Sequence, residues 1–234
     1  MNYKKKIDIY ADGVDIKNLS KINNSNIKGF TFNPSLFRSN DVKNYIQHSK
    51  KILKIIKNKS VSLEIIADDE KNMIRQAYEL SDLGKNVFVK IPITNTKGKS
   101  TRNVINELCS NKIKLNVTAI FTLDQVKNVL DVMNNEQNIL SIFSGRIFDI
   151  GIDAVKHTKK INKFIKKNSK CKSLWASPRM VYDLINAINA ESDIITMSSQ
   201  LINKIHLFNK SASDYSLDTV KMFYNDAIKS KYKF

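Results

Sequence analysis

The chain has 234 residues, 42% of them hydrophobic, with six Gly and three Pro and a formal charge of +17. That length suits one large domain over residues 1–234, because no Gly/Ser/Pro-rich stretch marks a linker. No apolar run approaches the roughly 20 residues needed to span a bilayer, and MNYKKKIDIYAD lacks the apolar core and cleavage site of a secretory signal, so no membrane role and a cytoplasmic location are expected.

The positive charge is almost all lysine. Lys50, Lys51, Lys54 and Lys57, or Lys159, Lys160, Lys163, Lys166 and Lys167, fall on predicted helices with apolar residues between them, as solvated helix faces do. Arginine, the better reader of phosphate geometry, is confined to Arg38, Arg75, Arg102, Arg146 and Arg179. Nucleic acid is therefore not an expected partner. Cys109 and Cys171 form no CxxC pair, so neither a disulfide framework nor a zinc site is expected.

In chain order, runs rich in β-branched and aromatic residues predict strands at 6–12, 27–32, 60–66, 86–91, 114–121, 138–144, 173–178 and 193–198. Amphipathic segments between and after them predict helices near 15–23, 40–57, 69–84, 99–110, 122–134, 152–168, 179–190, 199–208 and 216–230. Ser39, Asn40 and Asp41 are candidate caps for the second helix, and Thr122 with Gln125 has the spacing of a capping box. Strict β-then-α alternation over eight units implies parallel strands and a single (β/α)8 TIM barrel with an additional C-terminal helix. An open doubly wound sheet would call for a glycine-rich turn after the first strand, where ADGVD stands instead.

In such a barrel the chemistry sits where strands run into the βα loops at the C-terminal face. The strand ends deliver Asp12, Thr31 with Asn33, Glu64, Lys90, Asn116 with Thr118, Ser141 with Arg146 beyond it, Ser177 with Arg179, and Thr196 or Ser198. The bland reading, that strand ends are half exposed and polar residues there need no explanation, is the favoured one for any single Ser or Thr. Lys90 is different: it is a lone cation between Val87, Phe88, Val89 and Ile91, Pro92. Buried lysines have a partner or a task. Desolvation and nearby cations depress the pKa of such an amine, which supplies a nucleophile for carbonyl carbon. The competing reading is a lysine that merely neutralises Asp12 or Glu64. His48, His157 and His206 all fall on predicted helices, away from the strand ends, and no GxxxxGK[ST] occurs, so His-based metal, triad and nucleotide chemistries have no natural place.

The segments GFTFNPS (29–35), VFVKIPIT (87–94), KLNVTAIFT (114–122), SIFSGRIFDIG (141–151) and WASPR (175–179) resemble, in order, five strand-end motifs of the transaldolase family, in particular its short, fructose-6-phosphate-aldolase-like members. The resemblance implies a dihydroxyacetone Schiff base on Lys90, with no metal and no organic cofactor. It implies proton transfer and hydroxyl binding by Asp12, and a catalytic water positioned by Glu64 and Thr118. Substrate binding would fall to Thr31, Asn33, Asn116, Ser141 and Phe143, with the sugar phosphate held by Arg146, Ser177 and Arg179. The Glu at 64 and Phe at 143 resemble transaldolases, where the free aldolases typically carry Gln and Tyr.

Two departures stand out: Phe32 replaces the second Thr of the family's T-T-N-P-S motif, and the tail reads SLDTVKMFYNDA. The first can reshape the pocket or merely repack its wall. The leading expectation is a transferase moving a dihydroxyacetone unit between sugar phosphates. The runner-up is a lyase on the same scaffold that releases or uses free dihydroxyacetone. A barrel kept for sugar-phosphate binding, its catalysis lost, has only Phe32 in its favour. Short members of the family form rings of five, so a homo-oligomer is among the expected partners.

Overall fold

The computed structural model describes residues 6–39, 42–133 and 137–232. Its centre is a closed barrel of eight parallel strands in sequence order: β1 Asp8–Asp12, β2 Ile27–Thr31, β3 Ser60–Glu64, β4 Val87–Pro92, β5 Leu115–Ile120, β6 Ile139–Ile142, β7 Lys172–Trp175 and β8 Ile194–Ser198. β1 closes the barrel against β8, with Asp12 opposite Ser198. The helices that return the chain are α1 Ile16–Ile22, α2 Pro34–Ser39, α3 Tyr45–Ile55, α4 Glu70–Ser81, α5 Arg102–Ser110, α6 Leu123–Met133, α7 Ser144–Asp149, α8 Ala154–Asn168, α9 Asp183–Asn189 and α10 Ser199–Lys204. A 3-10 turn at 205–207, which holds His206, and the long helix α11 Ala212–Ser230 complete the described chain. Among the described residues no helix is long and apolar enough to cross a membrane.

All eight predicted strands form, because each is a short run that must bury both faces of a barrel wall. Outward residues such as Val61, Leu63, Val89, Ile91, Val117 and Leu140 join the helices in the main core. Inward residues make a second, separate cluster: Tyr10, Phe88, Ile139, Leu174, Ala176 and Ile194 plug the barrel. Tyr10 fits only because β2 offers Gly29 beside it; a Cβ there would lie 2.5 Å from the Tyr10 ring. The plug closes the lower barrel. Two residues further along β1, β4 and β6, the inward side chains become Asp12, Lys90 and Ser141.

Several helix starts follow the sequence chemistry. Gln125 Oε1 accepts from the Thr122 N–H at 3.0 Å while the Gln125 N–H donates to Thr122 Oγ1 at 3.2 Å, which is the capping box. The second predicted helix is corrected: it starts at Tyr45 under Asn44, whose side chain accepts from the Gln47 N–H at 2.9 Å. Of its expected caps, Ser39 instead ends α2, and Asn40 and Asp41 lie outside the described residues. The helices α2 and α7 were not expected. Both cysteines are thiols, Cys109 raised to about 11 chiefly by burial.

Candidate active site

Lys90 sits on β4 between Glu64 of β3 and Asn116 of β5 in the strand register. It is 7% exposed, and its Nζ lies 2.9 Å from Glu64 Oε2. An ammonium taken out of water costs several kcal/mol, roughly, unless an opposite charge and further hydrogen bonds meet it. Glu64 supplies that charge. Asp12 completes the group: the charges of both Lys90 and Glu64 act on it, yet burial outweighs the pull of Lys90 and raises its carboxyl above the ordinary range.

Hydrogen bonds run from this group around the barrel wall. The Thr31 hydroxyl donates to Asp12 Oδ1 at 2.6 Å, and Thr196 Oγ1 lies 2.6 Å from Thr31 Oγ1. When Asp12 is ionised, Thr31's one proton is spent on it and Thr196 is the donor in that pair. On the other side Ser141 Oγ donates to Asn116 Oδ1 at 2.6 Å, and Asn116 Nδ2 donates to Ser62 Oγ at 3.0 Å. Ser141 and Asn116 are thus already oriented by this second chain, which ends on Ser62. Thr118 faces inward two residues beyond Asn116; its hydroxyl is buried without a hydrogen-bond partner among the described residues. Tyr45 stiffens β3 from outside, its hydroxyl donating to the Glu64 carbonyl at 2.7 Å. Burial first, then the Glu64 charge, pushes that phenol well up.

The two arginines expected to hold the substrate phosphate each meet a partner of their own. Arg146 lies on α7 with its guanidinium 5.6 Å from the centre of the Phe143 ring, and Phe143 itself leans on the barrel plug. Arg179 pairs through Nε and Nη2 with both oxygens of Asp149, at the end of α7. The two loops nevertheless touch. A Cβ on Gly145 would come within 1.6 Å of the Ser177 carbonyl oxygen, and the Gly145 N–H donates to the Ala176 carbonyl at 3.2 Å. Ser177 holds φ 60, a left-handed conformation costly for a residue with a side chain.

Asp12, Thr31, Glu64, Lys90, Asn116, Thr118 and Ser141 therefore face one barrel mouth. Asn33 follows β2, its carbonyl accepting from the Phe37 N–H at 3.1 Å as α2 begins. Phe32 is not at the mouth: it is 2% exposed on the outer side, 5.6 Å ring to ring from Phe37, so it repacks a wall and leaves the pocket alone. Of the alternatives at the eighth strand, Thr196 joins the network and Ser198 caps α10 by accepting from the Leu201 N–H at 3.4 Å. Ser62, Asp149 and Asp183 were missed. Ser62 is legible from its period-two spacing to Glu64; Asp149 lies on a six-residue helix without periodic signal, and Asp183 lies on an expected helix with nothing in its spacing to mark its reach back to the Arg179 loop. Among the described residues no group of three metal-binding side chains occurs.

A closed parallel barrel with its ionisable groups gathered at the C-terminal mouth defines a (β/α)8 enzyme. The comparison with known sequences goes further: residues 9–233 match the model for transaldolase/fructose-6-phosphate aldolase, and the chain belongs to that family of aldolase-type enzymes. A probable transaldolase of Methanococcus vannielii is 31% identical over 210 residues, covering 88% of this chain and 93% of the relative. A probable transaldolase of Nitrosopumilus maritimus is 30% identical over 84% of this chain and 86% of its own length. Among solved structures, N-acetylneuraminate lyase from Mycoplasma synoviae superposes with a TM-score of 0.57 at 10% identity, covering 97% of this chain and 83% of that one, a likeness of fold.

Proposed function

We propose that the enzyme moves a dihydroxyacetone unit from a ketose phosphate to an aldose phosphate through a Schiff base on Lys90. The observation that carries this reading is the buried Lys90 ammonium paired with Glu64 at 2.9 Å and facing Asp12 across the barrel mouth. Proton transfer from Nζ to Glu64 frees the amine, which attacks the ketose carbonyl; Glu64 returns the proton to the carbinolamine hydroxyl, and its loss as water leaves an iminium on Nζ. Asp12 then takes the proton of the C4 hydroxyl as the C3–C4 bond breaks, and the aldose leaves. A carboxyl whose pKa is raised by burial holds and returns such a proton more readily than an ordinary aspartate. The enamine that remains attacks the acceptor aldehyde, Asp12 returns the proton, and water held between Glu64 and Thr118 releases the product. Asn116 and Ser141, already mutually bonded, orient the donor's hydroxyls. The phosphate falls to the Ser177–Arg179 loop and Arg146. This substrate class goes with the cytoplasm as compartment.

Borohydride added to enzyme and fructose 6-phosphate should fix the sugar on Lys90, read by mass spectrometry, and Lys90→Arg should abolish both adduct and turnover. An adduct elsewhere, or turnover in Lys90→Arg, refutes the Schiff base.

Transfer rather than lysis rests on Phe143, whose ring offers no hydroxyl to assist hydrolysis of the intermediate. Donor cleavage should therefore need an acceptor aldehyde, and Phe143→Tyr should gain free dihydroxyacetone release. Equal cleavage with and without acceptor makes the enzyme a lyase instead.

A further inference from the structure

We propose that Asp183 is a positioning residue for substrate phosphate, acting through the loop that carries Ser177 and Arg179; this rests on the phosphate reading above. Asp183 is completely buried at the first position of α9. Its Oδ2 accepts from two successive backbone N–H groups, Arg179 at 2.6 Å and Met180 at 3.1 Å, and its Oδ1 accepts from Asn186 Nδ2 at 3.0 Å. A fully buried carboxylate that serves only to start a helix is a costly choice, since an exposed Asn or Ser caps as well. Here the carboxylate reaches back four residues and grips the peptide on either side of the Arg179 carbonyl carbon.

The grip is needed because of what lies on the loop's other side. Ser177 is held at φ 60, and its carbonyl lies against Gly145 closely enough to leave no room for a Cβ. A loop in that conformation relaxes unless both flanks are fixed. At the outer end, the Arg179 guanidinium meets Asp149 with both side chains about half exposed, 44% and 46%. Such a pair is weak and screened by salt, so an incoming phosphate dianion can compete with it. The guanidinium is thus the exchangeable end of Arg179 and the backbone the fixed end, and Asp183 is what fixes it.

The experiment compares fructose 6-phosphate with unphosphorylated fructose as donors to one acceptor, for the full chain, Asp183→Ala, Asp183→Asn and Arg179→Ala. Losing two hydrogen bonds to the Asp183 side chain should raise KM for the phosphorylated donor ~10-fold in Asp183→Ala. It should leave kcat, and kcat/KM for fructose, within about 2-fold. Asp183→Asn keeps one acceptor oxygen and should recover most of the loss. If Asp183→Ala does not fold, Asn186→Ala, which frees only Oδ1, should raise the same KM by about 3-fold. Loss of the phosphate preference in Arg179→Ala with its retention in Asp183→Ala, or in Asn186→Ala where that is the variant available, overturns the proposal alone. An equal loss on both donors, the mark of a merely structural residue, also overturns it. Retention of the preference in Arg179→Ala removes the phosphate reading itself and this proposal with it.

Discussion

Burial raises the Asp12 carboxyl against the opposing pull of Lys90, so the folded chain holds that proton more tightly than the unfolded chain does. Below the unfolded value, about 3.9, Asp12 is protonated in both states and costs nothing. As pH rises from there through the higher folded value the unfolded state ionises first, and stability is lost until both states are charged. At neutral pH the site therefore carries a standing destabilisation. Asp12→Asn removes it while keeping an oxygen to accept from Thr31. The variant should melt higher than wild type at pH 7, with the difference shrinking toward pH ~4, and should lose dihydroxyacetone exchange by ~100-fold or more. Thermal melts across that pH range decide it; coincident curves at pH 7 would contradict the burial argument. Lys90 is legible in the sequence because a lone charge in an apolar strand is conspicuous. Its partner is not: Asp12 and Glu64 are equally available, and only the register of β3 against β4 selects Glu64.

At the scale of elements, β6 and β7 bring their loops to within backbone contact at one glycine. Gly145→Ala adds a methyl where the Ser177 carbonyl already stands, and backbone cannot turn aside as a flexible side chain can. Overpacking of this kind costs about 1–3 kcal/mol, more than the modest gain Ala brings to the helix α7. The variant should show a lower Tm and a higher KM for phosphorylated donors than for unphosphorylated ones. An unchanged Tm would mean the loops separate freely. The strands were legible because each is a burst of Val, Ile, Leu or Phe bounded by polar residues. The helices α2 and α7, six residues each, were not, because fewer than two turns display no period. α2 also begins at Pro34, read as part of a motif rather than as a first helical residue. The arginines were found from their rarity. That each already has an internal partner, Phe143 or Asp149, depends on loop conformation that no spacing reveals.

At the scale of the whole molecule, α11 stands apart from everything the barrel explains. Its 19 residues include no buried side chain, and Tyr215, Leu217, Val220, Met222, Phe223, Tyr224 and Ile228 are each at least half exposed. Leu217, Val220, Tyr224 and Ile228 follow helical spacing, so they form one apolar stripe along a helix roughly 28 Å long. A stripe of that length on a charged protein associates unless something covers it. The candidate is a second copy of the same chain, since identical stripes related by a two-fold axis present identical apolar faces to each other. We expect a homo-oligomer in sedimentation velocity rather than a 26.8 kDa monomer. The double substitution Leu217→Asp and Tyr224→Asp should shift it to monomer without lowering Tm much within the protomer, because neither side chain is buried there. Borohydride trapping on Lys90 should survive in the monomer, as none of the barrel-mouth residues lies on α11. A wild-type chain that sediments as a monomer would leave the stripe to some other partner. An oligomer unmoved by the two aspartates would place the interface on the barrel instead.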